Sequence, residues 1–269
     1  MKKAVLYILA FIAIELLVSW AVSFVWLLID GNPVDVAWRQ FTTLSSSGID
    51  APLFITQTAA YSIVVMVVFL VCKWSVASPH YLRERQWAVF AWAVVAAIGT
   101  MIPSMALQDA MPDVPDVTKE AFSAIIRSDF GYTAICIFAP LVEELVFRGA
   151  VLRSLLSSDM GHPALAIVVS AVFFAAVHFN PAQMPHAFLV GLLLGWMYFR
   201  TGSILPGVAF HWTNNTITFV VCRLAPHLQD MTLLEIFQGN MRSMVLSIFF
   251  SLLILIPALY QLNIRMKKI

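Results

Sequence analysis

The sequence predicts an all-α fold, a polytopic integral membrane protein built as a bundle of about eight transmembrane helices. Of its 269 residues 61% are hydrophobic and 12% charged. Mean hydropathy is +0.86, far outside the balance of soluble domains. Apolar runs of spanning or near-spanning length recur along the whole chain. The few basic residues gather at the ends of those runs and form no stripe, and with a net charge of +1 this argues against nucleic-acid binding. No repeat or soluble appendage interrupts the pattern, so residues 1–269 read as one integral membrane domain.

The expected spans lie at roughly 4–29, 59–77, 87–107, 131–157, 163–180, 184–200, 203–225 and 243–262. The first follows Lys2-Lys3 but is longer than the roughly 7–15-residue core of a signal peptide, so it is expected to stay as an anchor. Lys73, near the end of the second, is expected to snorkel. In the fourth, Pro140 denies a hydrogen bond to the Cys136 carbonyl and predicts a kink. The fifth and sixth are joined only by Asn180–Pro185, whose two prolines suit a connection that dips into the membrane under protein cover. In the sixth, Gly191 and Gly195 form a small-xxx-small pair that lets a neighbouring helix approach.

Orientation follows from charge. Lys2, Lys3, Arg83, Arg85, Arg153, Arg200, Arg265, Lys267 and Lys268 fall on one side, which is then the cytoplasm. Acids, Asp113 among them, crowd the first and third loops on the other side, where Arg39, Lys119, Arg127, Arg223 and Arg242 dilute the contrast. An even number of spans places both termini in the cytoplasm of a cell-membrane protein. The long loop near 108–130 reads either as a short interfacial helix from Asp116 onward, with Val117, Ala121 and Ile125 four apart, or as a plain surface loop. Cys72, Cys136 and Cys222 have no CxxC spacing and read as small buried apolar residues.

Within the spans a few polar residues demand explanation, because an ionisable group near the bilayer centre costs roughly 2.5–3.5 kcal/mol on insertion scales. Glu143 and Glu144 lie in an otherwise apolar run with Arg148. Glu144 and Arg148 share a face as an i,i+4 pair. Glu143 points about 100° away and lacks that partner. His178 ends the fifth span, and His211 and Asn215 share one face of the seventh.

Together these residues suit peptide hydrolysis. It needs a base for water, a group to hold that water or protonate the leaving amine, and donors for the oxyanion. Glu143 is the candidate base and His178 its partner, while His211 and Asn215 offer oxyanion donors and Glu144 with Arg148 supports the site. Such a site requires no cofactor. Glu143, His178 and His211 would equally be acceptable ligands of a divalent metal such as zinc, with Asn215 an unusual fourth.

The spacing Glu-Glu-x-x-x-Arg at 143–148, Phe-x-x-x-His at 174–178 and His-x-x-x-Asn at 211–215 resembles the three motifs of the CPBP family, the type II CAAX-protease and bacteriocin-processing intramembrane proteases. The resemblance covers about residues 131–222, with Phe199–Pro206 also similar. It implies an eight-helix bundle, a catalytic core over 131–222, and the same roles for Glu143, His178, His211, Asn215, Glu144 and Arg148. It also implies that the partners are the lipid bilayer and a membrane-associated or lipidated protein or peptide substrate.

Two readings from other classes stay open: a non-catalytic scaffold of the same fold, and a secondary transporter or proton relay, for which intramembrane Glu, His and Arg are also usual. Zincin, nucleophile-elbow and phosphate-loop motifs are absent from the sequence. Ser45-Ser46-Ser47-Gly48 reads as a turn. His80, His162, His186 and His227 fall near expected span ends or in loops, with His186 able to approach the site. Glu15, in the middle of the first span, has no assigned role.

Overall fold

The structure, a computed structural model, describes residues 1–43, 50–76, 78, 81, 86–112, 114–158 and 162–267, without the side chains of 40–43 and 230. The Ser45–Gly48 turn, His80, Arg83, Arg85, Asp113 and Lys268 lie outside the described residues. The described chain is helical, with no strand among the described residues. In hydrocarbon the backbone must satisfy its own hydrogen bonds, and a helix does so within one segment.

In chain order the elements are α1 (Lys2–Ile29), α2 (Val34–Thr43), α3 (Ala51–Val71), α4 (Trp87–Asp109) and α5 (Lys119–Arg127). Then α6 (Ala139–Val146) sits between two π-helical turns, Thr133–Phe138 and Phe147–Leu152, and continues into α7 (Arg153–Leu156). After these come α8 (Pro163–Ala176), α9 (Met184–Thr201), α10 (Leu205–Leu224), a 3-10 turn (Pro226–Asp230), α11 (Leu233–Ile236) and α12 (Met241–Arg265).

Four helices, α1, α3, α4 and α12, are long and apolar enough to cross a membrane. The other four expected segments are helical too, but length and hydropathy alone do not carry the count of eight. Helix α8 has 14 residues, about 21 Å at 1.5 Å per residue, against a hydrocarbon core of about 30 Å. The second expected span also starts earlier than its apolar run. Asp50 accepts from Leu53 N at 3.3 Å and Pro52 opens the first turn, so α3 begins at Ala51. It ends at Val71, and Lys73 leaves it in the left-handed region at φ 56°.

Helices α1 and α3 are antiparallel, in a register set by Tyr7 against Phe69 (6.2 Å between centroids) and Gln57 Nε2 donating to Ser19 O (3.1 Å). One core joins α1, α3, the α6 region, α8 and α9 around Phe11, Phe69, Phe147 and Phe174. A second joins α4, α9, α10 and α12 around Ala96, Leu194, Phe210 and Leu262. Outward residues such as Leu9, Leu16, Phe250 and Ile256 stay exposed, as lipid-facing positions should.

Close approaches fall on the small residues. A Cβ on Gly191 would stand 3.1 Å from Ala171 Cα, and one on Gly195 2.9 Å from Ile167, so this pair docks α9 on α8. Pro103, inside α4, has no N–H for the Gly99 carbonyl, and Ser251 of α12 donates to that oxygen at 3.2 Å. After Asp116 the chain forms the helix α5, which buries Ile125 and Ile126. The first turn of α8 is capped by His162, whose Nδ1 accepts from Ala164 N.

Candidate active site

Glu144 and Arg148 are fully buried, and the pair closes at 2.8 Å as their i,i+4 spacing requires. Arg148 is also held from α8 and α9: its Nη2 donates to Gly191 O at 3.3 Å, and its guanidinium lies 4.3 Å from the centroid of Phe174. Glu143, one residue earlier, keeps 20% of its side chain accessible, and its Oε2 has no hydrogen-bond partner. The two acids thus have the unequal surroundings that the helical phase predicts.

His211 of α10 reaches both. Its Nδ1 is 3.2 Å from Glu144 Oε1 and its Nε2 is 3.7 Å from Glu143 Oε2. It is buried, with its ring edge against Phe174 at 5.9 Å. Gly207, one turn before His211, leaves room for the carboxylate: a Cβ there would lie 2.7 Å from Glu144 Oε2.

Asn215 has a partner that the sequence reading missed. Ala139 N bonds Ala134 O in the π register. The next donor in that register is residue 140, and proline has no N–H. The orphaned Ile135 carbonyl accepts instead from Asn215 Nδ2 at 3.0 Å. Pro140 therefore yields a π turn bonded across helices, and a second π turn follows the acids. Such turns are frequent at functional sites.

His178 stands just past α8. Its Nδ1 is 2.8 Å from Phe174 O, so that nitrogen donates and Nε2 remains free. The chain then turns through Phe179 at φ 50° into Asn180, which is fully buried. Asn180 Nδ2 donates to Asp116 Oδ1 (2.8 Å) and Thr118 Oγ1 (2.7 Å), and Gln183 donates to the same hydroxyl at 3.1 Å. The segment ahead of α5 covers the 180–185 connection, and the His178 ring packs against Phe174, 5.1 Å between centroids, beside the buried ion pair.

His186 joins the cluster. Its Nδ1 pairs with Ser104 Oγ, and its Nε2 is 3.5 Å from Asn214 Nδ2, which also donates to Asn215 Oδ1 at 3.4 Å. Nothing in the spacing of Ser104, His186 and Asn214 announced this chain, because it joins three helices.

Glu15 is placed by register. Phe11 meets Phe147 at 6.0 Å, and four residues on, Glu15 comes level with Glu143, four residues back. On the other side the α1–α3 register sets it level with Tyr61. Glu15, Tyr61 and Glu143 interact electrostatically. Among the described residues no three His, Cys, Asp or Glu side chains are set to hold an ion, so Glu143, His178 and His211 do not form a ready ligand set.

A family model described as Type II CAAX prenyl endopeptidase Rce1-like matches residues 129–217, the stretch that contains all three motifs. Among curated proteins, an "Uncharacterized 24.3 kDa protein" of Escherichia coli is 32% identical over 163 residues, covering 57% of this chain and 73% of that protein. No solved structure matches. With Glu-Glu-x-x-x-Arg, Phe-x-x-x-His and His-x-x-x-Asn meeting around one buried ion pair, and with these two matches, the chain belongs to the CPBP family of type II CAAX-protease-like membrane proteins.

Proposed function

We propose that the protein is an intramembrane endopeptidase that hydrolyses a peptide bond of a membrane-associated or lipidated protein with a water activated by Glu143. The observation that carries this reading is the division of labour between adjacent acids. Glu144 is neutralised by Arg148, while Glu143 presents an unpartnered oxygen beside His211.

Glu143 takes a proton from water as the oxygen attacks the scissile carbonyl carbon. The developing oxyanion accepts from the second N–H of Asn215 and from His211 when its Nε2 carries a proton. His178, with Nε2 free, orients the water. Glu143 then returns the proton to the leaving nitrogen as the C–N bond breaks. Glu144 and Arg148 fix the His211 ring and the α8–α9 wall. No step needs a metal, and none is routed through one.

In this reading the chain crosses the cell membrane about eight times with both termini in the cytoplasm. The covered 180–185 connection supports this reading, since it would let the short α8 serve as one of those crossings. Comparing the protein termini of membranes from cells that carry the wild type or Glu143→Ala, by mass spectrometry, tests the function. New termini that depend on Glu143 are the expected result. Identical termini in both would remove the peptidase reading and leave the scaffold.

A further inference from the structure

At the basic end of α1, about 15 Å along the helix from Glu143, a cleft of roughly 120 Å³ is lined by Lys3 and Tyr7 of α1, Lys73 and Trp74 after α3, and Arg153 with Ser154 of α7. A second hollow beside it adds Lys2. No carboxylate lines either hollow, and among the described residues none lies within ion-pair distance of Lys2, Lys3, Lys73 or Arg153. Three elements thus bring three cations to one small opening, with no compensating carboxylate among the described residues. Like charges gathered this way repel one another and favour an anion between them.

Lys73 is held there by backbone geometry. It is one of the few non-glycine residues with positive φ, at 56°, and its amide donates to Leu70 O at 3.1 Å. Trp74 packs on Phe69 and Tyr7 at 5.3 and 5.4 Å, forming an aromatic floor of the kind found at the headgroup level of a bilayer.

We propose that this cleft binds the phosphate of an anionic lipid headgroup, with Lys3, Lys73 and Arg153 as its cationic contacts and Ser154 as a hydroxyl donor. The site is separate from the acids and histidines of the active site, and it stands whether or not the protein cleaves peptides. Its position at the end of three membrane-embedded helices supplies the headgroup, and the three converging cations supply the preference for an anion.

The test is native mass spectrometry of the protein released from micelles that hold equal amounts of phosphatidylglycerol and phosphatidylcholine. The wild type should retain phosphatidylglycerol selectively. The variant Lys3→Gln/Lys73→Asn/Arg153→Gln, with asparagine chosen because it tolerates positive φ, should lose that selectivity by roughly 10²-fold, about fivefold per cation. Equal melting of variant and wild type in phosphatidylcholine alone confirms the fold; if the triple variant fails that check, Arg153→Gln alone should lose about fivefold. Equal retention of both lipids by the wild type, or unchanged selectivity in the folded variant, would overturn the proposal. Release of the lipid by millimolar inorganic phosphate would also overturn it, by showing that the cleft takes soluble phosphate.

Discussion

Glu144 and His211, 67 residues apart in sequence, meet at 3.2 Å, both buried. The same carboxylate oxygen holds Arg148 at 2.8 Å, so one atom ties the motif on α6 to the motif on α10. Glu144→Gln takes the charge out of both ties and leaves Arg148 without its counter-charge. Loss of one partner of a buried pair costs about 3–5 kcal/mol. Glu144→Gln should therefore melt earlier in detergent and lose activity together, whereas Glu143→Gln should melt as the wild type does.

Gly207 tests the same carboxylate from the opposite side. A methyl group there would press on Glu144 Oε2 at 2.7 Å, and that oxygen is fixed by a neighbour already bonded twice. Gly207→Ala should destabilise the protein by about 1–3 kcal/mol, the usual cost of overpacking, and should lower turnover. Thermal unfolding in detergent checks the first effect and a cleavage assay the second. Unchanged melting would show that Glu144 can move freely.

These contacts mark where the sequence stops informing. The Glu144–Arg148 pair was legible because both ends lie on one helix at a fixed spacing. The bonds from His211 to Glu144 and from Asn215 to Ile135 were not, since each depends on how two distant helices rotate against one another. Pro140 announced a disturbance but not its form; the π turn appears only once Ala139 is seen bonding to Ala134. Period and hydropathy located every long helix, yet neither reports that α8 is short or that Asn180 is buried under Asp116 and Thr118. Glu15 gave no signal of its own. Its level beside Glu143 and Tyr61 follows from the Phe11–Phe147 and Gln57–Ser19 contacts.

Asn215 carries two expected losses. Asn215→Ala removes an oxyanion donor, which should lower turnover by about 10²-fold. It also strips the Ile135 carbonyl of its donor, at about 1–3 kcal/mol of stability. Assays at a temperature where the variant is fully folded separate the two. Turnover equal to wild type there would take Asn215 out of the oxyanion site and leave it as a brace for the π turn.

Topology is tested by labelling. In a background without Cys72, Cys136 and Cys222, a cysteine replacing exposed Glu120 should react with an impermeant reagent added to intact cells, and one replacing Lys267 should not. The reverse pattern would invert the chain and open the site from the opposite face.

The central claim is that Glu143 activates the water without help from a metal. The most direct measurement sets chelator-dialysed wild type beside Glu143→Gln in one cleavage assay, with elemental analysis of both preparations. The account predicts that the dialysed wild type keeps its activity with no stoichiometric metal, while the folded Glu143→Gln protein has none. Activity in Glu143→Gln equal to wild type, or activity lost on dialysis and restored by zinc alone, would contradict it.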